Sequence, residues 1–237
     1  MKINKVIISL IITVTITVSC SFLTMSSVSA ESVNVDEQLS FLLSIGTPES
    51  YLEKMDHIEI MKLYDDLSRG DYIFYSADTS RYKNSLKGLK KTDDAERDSA
   101  LTLSVLLFHD SDPETGQISD IYVFVQYMWE GMRLPKFGDD RITVKWDPSD
   151  FTFSADSFEC RDYRYSARRD EWKLHDSFSN PASLYQGSLG YYAEIQGYFA
   201  GIGASRQKGI CGFNLLPAHP TNLSEADFSS IRVEYKR

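Results

Sequence analysis

The chain has 237 residues, with 34 acidic against 25 basic side chains and a formal net charge of −9. That balance excludes attachment to nucleic acid or to an anionic membrane through bulk electrostatics. A hydrophobic content of 42% with 13% aromatic residues excludes a disordered chain and supplies the core of one sizeable domain, with or without a small appendage.

Residues 1–30 read as an export signal. Lys2 and Lys5 make a positive start, Val6 to Val18 is an apolar run broken only by Ser9 and threonines, and Val28-Ser29-Ala30 offers small residues where a signal peptidase reads them. Cleavage is therefore expected after Ala30. A membrane anchor and a lipidated cysteine are the alternatives. The run is short for a membrane anchor of about 20 residues. Lipidation at Cys20 would follow Thr17-Val18-Ser19, which lacks the usual aliphatic residue three positions before the cysteine. The length and style of the signal resemble precursors exported by Gram-positive bacteria. Its removal takes away two lysines and no acids, so −9 becomes −11. No second apolar span or wall-sorting tail follows, and the expected product is released or loosely held at the cell surface.

Residues 31–70 read as a helical segment packed on or preceding a sheet. Leu39, Leu42 and Leu43 give a short apolar face ending at Gly46, and Thr47-Pro48-Glu49 offers a hydroxyl cap before the next turn. Asp56 followed by Glu59 makes a capping box for a third helix, whose face is expected to be Ile58, Met61, Tyr64 and Leu67.

Residues 71–237 read as a β-rich domain. Asp71 to Ser76 is the first strand, Tyr82 to Asp98 a charged solvated loop, and Ala100 to Phe108 a strand with Leu101, Leu103, Val105 and Leu107 on one face. Ile121 to Trp129 is apolar at nearly every position, which predicts a central strand covered on both faces. Arg141 to Trp146 alternates and is expected to be its neighbour, with one wet face. Phe158 and Cys160 share one parity while Tyr163 and Tyr165 take the other, which predicts a bulge between them. After a loop from Ser177 to Ser188, Tyr191 to Phe199, Cys211 to Leu215 and Ile231 to Lys236 complete about nine strands, the pattern of an antiparallel β-sandwich or partly closed barrel.

The familiar catalytic motifs are missing, and His57, His109, His175 and His219 are scattered. Asp110, Asp112 and Glu114 could offer oxygens to Ca²⁺, although turn chemistry explains them equally and the segment does not fit the twelve-residue calcium loop. No other cofactor is suggested. Asp147, Asp150, Asp156 and Glu159 cluster near Trp146 and other aromatics, a composition found at sugar sites and also on ordinary surface turns. Cys160 and Cys211 are the two cysteines left after the signal, candidates for a disulfide more than for a nucleophile. The leading expectation is a secreted, non-enzymatic binding protein for an extracellular or cell-wall ligand. Its rivals are a secreted hydrolase acting on carbohydrate or peptide, and a structural or toxin-like secreted protein.

Overall fold

The structure, a computed structural model, describes residues 34–85, 88–92, 101–130, 140–193, 206–222 and 228–236. The expected signal with Cys20 and Ala30, and the continuation of a strand from residue 194 to Phe199, lie outside them. The chain divides after Glu37, and the architecture described is that of Gln38–Arg237.

Three helices come first: α1 (Val35–Ser44), α2 (Glu49–Leu52) and α3 (His57–Leu67). The capping box at α3 forms as expected. Asp56 Oδ1 accepts from the amides of Ile58 and Glu59 at 3.0 and 3.2 Å, and Glu59 Oε2 accepts from the Asp56 amide at 2.8 Å. The buried face differs from the expected one. Ile60, Leu63 and Leu67 are buried together with Glu59 and Lys62, while Met61 is exposed. Ile60, Leu63 and Leu67 enter the core beneath the helices, and Glu59 turns inward beside them, where Gln126 and Lys208 meet its carboxylate. Thr47 does not cap α2, since its hydroxyl is buried without a partner and Pro48 takes the N-cap position. Leu43 is likewise exposed where a buried face was expected.

The described strands are β1 (Ile73–Ser85), β2 (Gly88–Thr92), β3 (Leu101–Ser111), β4 (Ile118–Trp129), β5 (Asp140–Lys145), β6 (Phe151–Phe153), β7 (Glu159–Ser166), β8 (Glu171–Phe178), β9 (Ser183–Tyr185), β10 (Ser188–Ala193), β11 (Gln207–Pro217) and β12 (Arg232–Lys236), with a short 3-10 turn at Phe228–Ser230 before the last. They form two antiparallel sheets, one in the order β2-β1-β3-β4-β11-β7-β8 with β6 added to β11, the other β12-β5-β10-β9. The protein is mainly β, and among the described residues neither sheet closes into a barrel. The charged segment expected as a loop holds the β1–β2 hairpin. Its register sets Lys83 against Lys90, so the apolar alternation that advertises a strand is missing there. β9 is short and mostly exposed, and its segment likewise reads as loop from sequence.

β4 is central and covered on both faces. Ile121, Val123, Val125, Tyr127 and Trp129 enter the core between the two sheets, while Tyr122 and Phe124 pack under the helices with Leu42, Leu63 and Leu67. β5 is not its neighbour. It lies in the other sheet, and Ile142 and Val144 face β4 across the inter-sheet core. An alternating strand fits either place, because both give it one buried face. β7 runs in unbroken register against β11 from Glu159 to Arg164, so the bulge expected within it is absent. The one register shift, against β8 at Asp162 and Tyr163, leaves the extra residue, His175, on β8. Plain alternation along β7 puts Cys160 in the inter-sheet core and Tyr163 under the helices. The result is sandwich-like, with a helical layer on the outer face of the larger sheet.

Candidate functional site: a polar cleft beside α3

The helices cover the apolar part of that outer face and, at the N-terminus of α3, the buried Lys208. Beside the C-terminal half of α3 a polar cleft of about 610 Å³ remains, with Lys62, Asp66 and Arg69 on one wall. Tyr72, Tyr122 and Asn214 line it from the sheet, and Asp156, Ser157 and Glu159 from the approach to β7.

Two hydrogen-bonded groups fix its lining. In the first, Tyr72 donates its hydroxyl to Asp120 Oδ2 at 2.8 Å, and Asn214 Nδ2 donates to the Tyr72 oxygen at 2.9 Å and also to Asp120 Oδ2. Burial raises the Asp120 carboxyl above the usual range, against the lowering effect of these two donors. Burial and the neighbouring carboxylate also raise the Tyr72 phenol, which keeps its proton at neutral pH. Asp120 Oδ1 is buried without a hydrogen bond.

In the second group, Lys62 Nζ bonds both oxygens of Asp66 at 2.7 and 2.6 Å and reaches Glu159 Oε2 at 3.0 Å. Tyr122 donates its hydroxyl to Asp66, and Arg161 Nε donates to Glu159 Oε1 at 2.6 Å. Partial burial works to raise the Glu159 carboxyl, but Lys62 and Arg161 outweigh it and hold the group below its ordinary value. Gly212 makes this arrangement fit, because a Cβ there would overlap the Tyr122 hydroxyl and stand 3.1 Å from Asp66 Oδ2.

The residues singled out in sequence fall in several places. Asp156 and Glu159 line the polar cleft. Trp146 sits at a separate groove of about 470 Å³ with Phe153, Leu184 and Tyr185. There it is mostly core, stacked on Phe153 at 6.3 to 6.4 Å from both Phe153 and Phe213. Asp147 builds the turn into β6: its Oδ1 accepts from the Ser149 hydroxyl at 2.6 Å and amide at 2.9 Å, which lowers its pKa. The Asp150 carbonyl receives the Ala218 amide at 2.8 Å. The five residues thus do not form one surface.

Asp110, Asp112 and Glu114 also part company. Asp110 lines the polar cleft, whereas Asp112 Oδ1 accepts from the amides of Glu114 and Thr115, both at 2.8 Å, and closes its own turn. Among the described residues no three His, Cys, Asp or Glu side chains converge as a metal site. Cys160 and Cys211 stand opposite each other on β7 and β11, Cα atoms 4.0 Å apart, and carry a disulfide in the inter-sheet core.

Sequence reading passed over Lys62, Asp66, Tyr72 and Asn214. The visible signal was Asn214, a polar side chain inside the apolar run from Ile210 to Leu216. No family model matches the chain, and no curated protein or solved structure matches it significantly.

Proposed function

We propose that this is an exported protein that binds a small, hydroxyl-rich polar ligand, of the class presented by extracellular or cell-wall glycans, in the cleft beside α3. One observation carries the reading: the cleft is lined by donors and acceptors that are already held in place by partners. Tyr72 and Asn214 are set by Asp120, and Asp66 and Glu159 are set by Lys62. Groups oriented beforehand lose little freedom when a ligand arrives, and the volume suits a small molecule. The sandwich-like architecture and the export signal read from Lys2 to Ala30 agree with this role.

A hydrolase acting on the same class is the second reading, and one feature favours it. Asp120, which bonds the lining residues Tyr72 and Asn214 from behind, is pushed up, and Glu159 in the cleft wall is held down, the separation expected of an acid and a carboxylate with different tasks. No feature of the structure favours a structural or toxin-like role.

A glycan array followed by calorimetry on the hits tests the proposal, with Asn214→Ala as control and its melting temperature checked. Binding that Asn214→Ala weakens, without release of reducing ends, supports a binding protein. Release of reducing ends supports the hydrolase. Hits that Asn214→Ala binds as tightly place the ligand elsewhere.

A further inference from the structure

On the other flank of the helical layer, beside α2, the outer face of the large sheet is again uncovered and forms a separate hollow of about 300 Å³. Its floor follows from strand register. Thr79, Ser104 and Gln126 lie side by side across β1, β3 and β4, and Arg81, Thr102 and Met128 make the next row. β3 therefore carries leucines and Val105 toward the inter-sheet core while Thr102 and Ser104 line the hollow. Leu106 and Phe108 appear on that outer side only where the helices cover it.

The floor is ordered. Thr79 and Ser104 share a hydrogen bond of 2.9 Å, and Gln126 Nε2 donates to Glu59 Oε1 at 2.7 Å. Cations stand on three sides: Lys54 after α2, Arg81 on β1 and Arg206 before β11. Arg206 is held by Glu130 at 2.9 Å and lies 5.5 Å from the ring centres of both Tyr165 and Trp172. Glu130 is the one acid among the described lining residues. In a chain of net charge −9 this is a local reversal of sign, and the opposite of the polar cleft, whose lining holds four acids against two cations.

We infer that this hollow is a second binding site, for a small hydroxylated organic anion that carries a carboxylate or a phosphate ester. The cations receive the anionic head in charge-assisted hydrogen bonds, and the row of hydroxyls and the Gln126 amide receive the hydroxylated body. A hollow of this volume takes one sugar-sized molecule. The inference does not rest on the function proposed for the other cleft.

The test is titration of the folded protein with glucuronate, glucose 6-phosphate and neutral glucose, followed by amide NMR shifts and calorimetry. At least one anion is expected to perturb Thr102, Ser104 and Gln126 and to bind about tenfold or more tighter than glucose. Which anion binds separates carboxylate from phosphate ester. Added salt should weaken binding, as should Lys54→Glu at an exposed position, with its melting temperature checked. Arg81→Gln, checked by melting, should weaken it further. Asn214→Ala should leave it unchanged. Equal binding of glucose, or no shift at those amides with either anion at millimolar concentration, would overturn the inference.

Discussion

Tyr72 donates its hydroxyl to Asp120 Oδ2 at 2.8 Å, tying the entry of β1 to the start of β4 across the intervening β3. The bond is both a brace and a means of aiming Tyr72 into the cleft. Tyr72→Phe removes a donor that lowers the Asp120 pKa, so the folded carboxyl rises further above its ordinary value of 3.8. A raised carboxyl binds more protons folded than unfolded, and its cost appears as pH rises above the ordinary value. The destabilisation by Tyr72→Phe should therefore be small near pH 4 and grow toward pH 7, reaching about 1 kcal/mol for this partly exposed group. Urea midpoints of both proteins at the two pH values check it. A penalty that shrinks as pH rises would contradict the assignment.

Lys208 is fully buried, with Nζ paired to Asp56 and 3.7 Å from Glu59, and it lies 4.9 Å from the centre of the Trp172 ring. It links β11 to the N-terminus of α3. Lys208→Met leaves two carboxylates without their cation and should cost about 3–5 kcal/mol. At this chain length that is a fall of roughly 6–20 °C in melting temperature. Adding Glu59→Gln should recover part of the loss, and a strictly additive double variant would count against the coupling.

Val125 is fully buried in the inter-sheet core. Val125→Asp sets an unpaired carboxylate there and should abolish soluble folding, since the cost is several kcal/mol. Thermal melts of the variant provide the check, and an unchanged transition would remove β4 from the centre of the fold.

The disulfide between Cys160 and Cys211 spans a sequence separation of 51. Loop-closure entropy gives it an upper value of about 4 kcal/mol. Folded protein alkylated without reduction should show Cys160 and Cys211 unmodified by mass spectrometry. Two modified thiols would mean that the native protein keeps them reduced.

Much of the fold could be read from the residues, and the failures have physical causes. The two-faced burial of β4 and the capping box at Asp56 and Glu59 are local patterns, and each is present, whereas the opposite parity of Cys160 and Tyr163 is ordinary alternation along β7 and not the bulge it suggested. Sheet membership was not legible: β5 alternates as a neighbour of β4 would, and its place opposite is a matter of tertiary pairing. The face of α3 was misread because two charged residues, Glu59 and Lys62, go inward to partners distant in sequence. The polar cleft was half legible. Asp156 and Glu159 stood out beside aromatics, but Tyr72 and Asn214 meet them only through the strand order of the large sheet, and Asp66 only through the packing of α3 on it.

The most direct test of the central claim is calorimetric titration of the folded protein with the saccharides that score on a glycan array, set beside Asn214→Ala and Lys54→Glu. The account predicts saturable binding that Asn214→Ala weakens about tenfold, the loss of one or two hydrogen bonds, and that Lys54→Glu leaves unchanged. No saturable binding by any saccharide, or binding indifferent to Asn214→Ala in a folded variant, would contradict it.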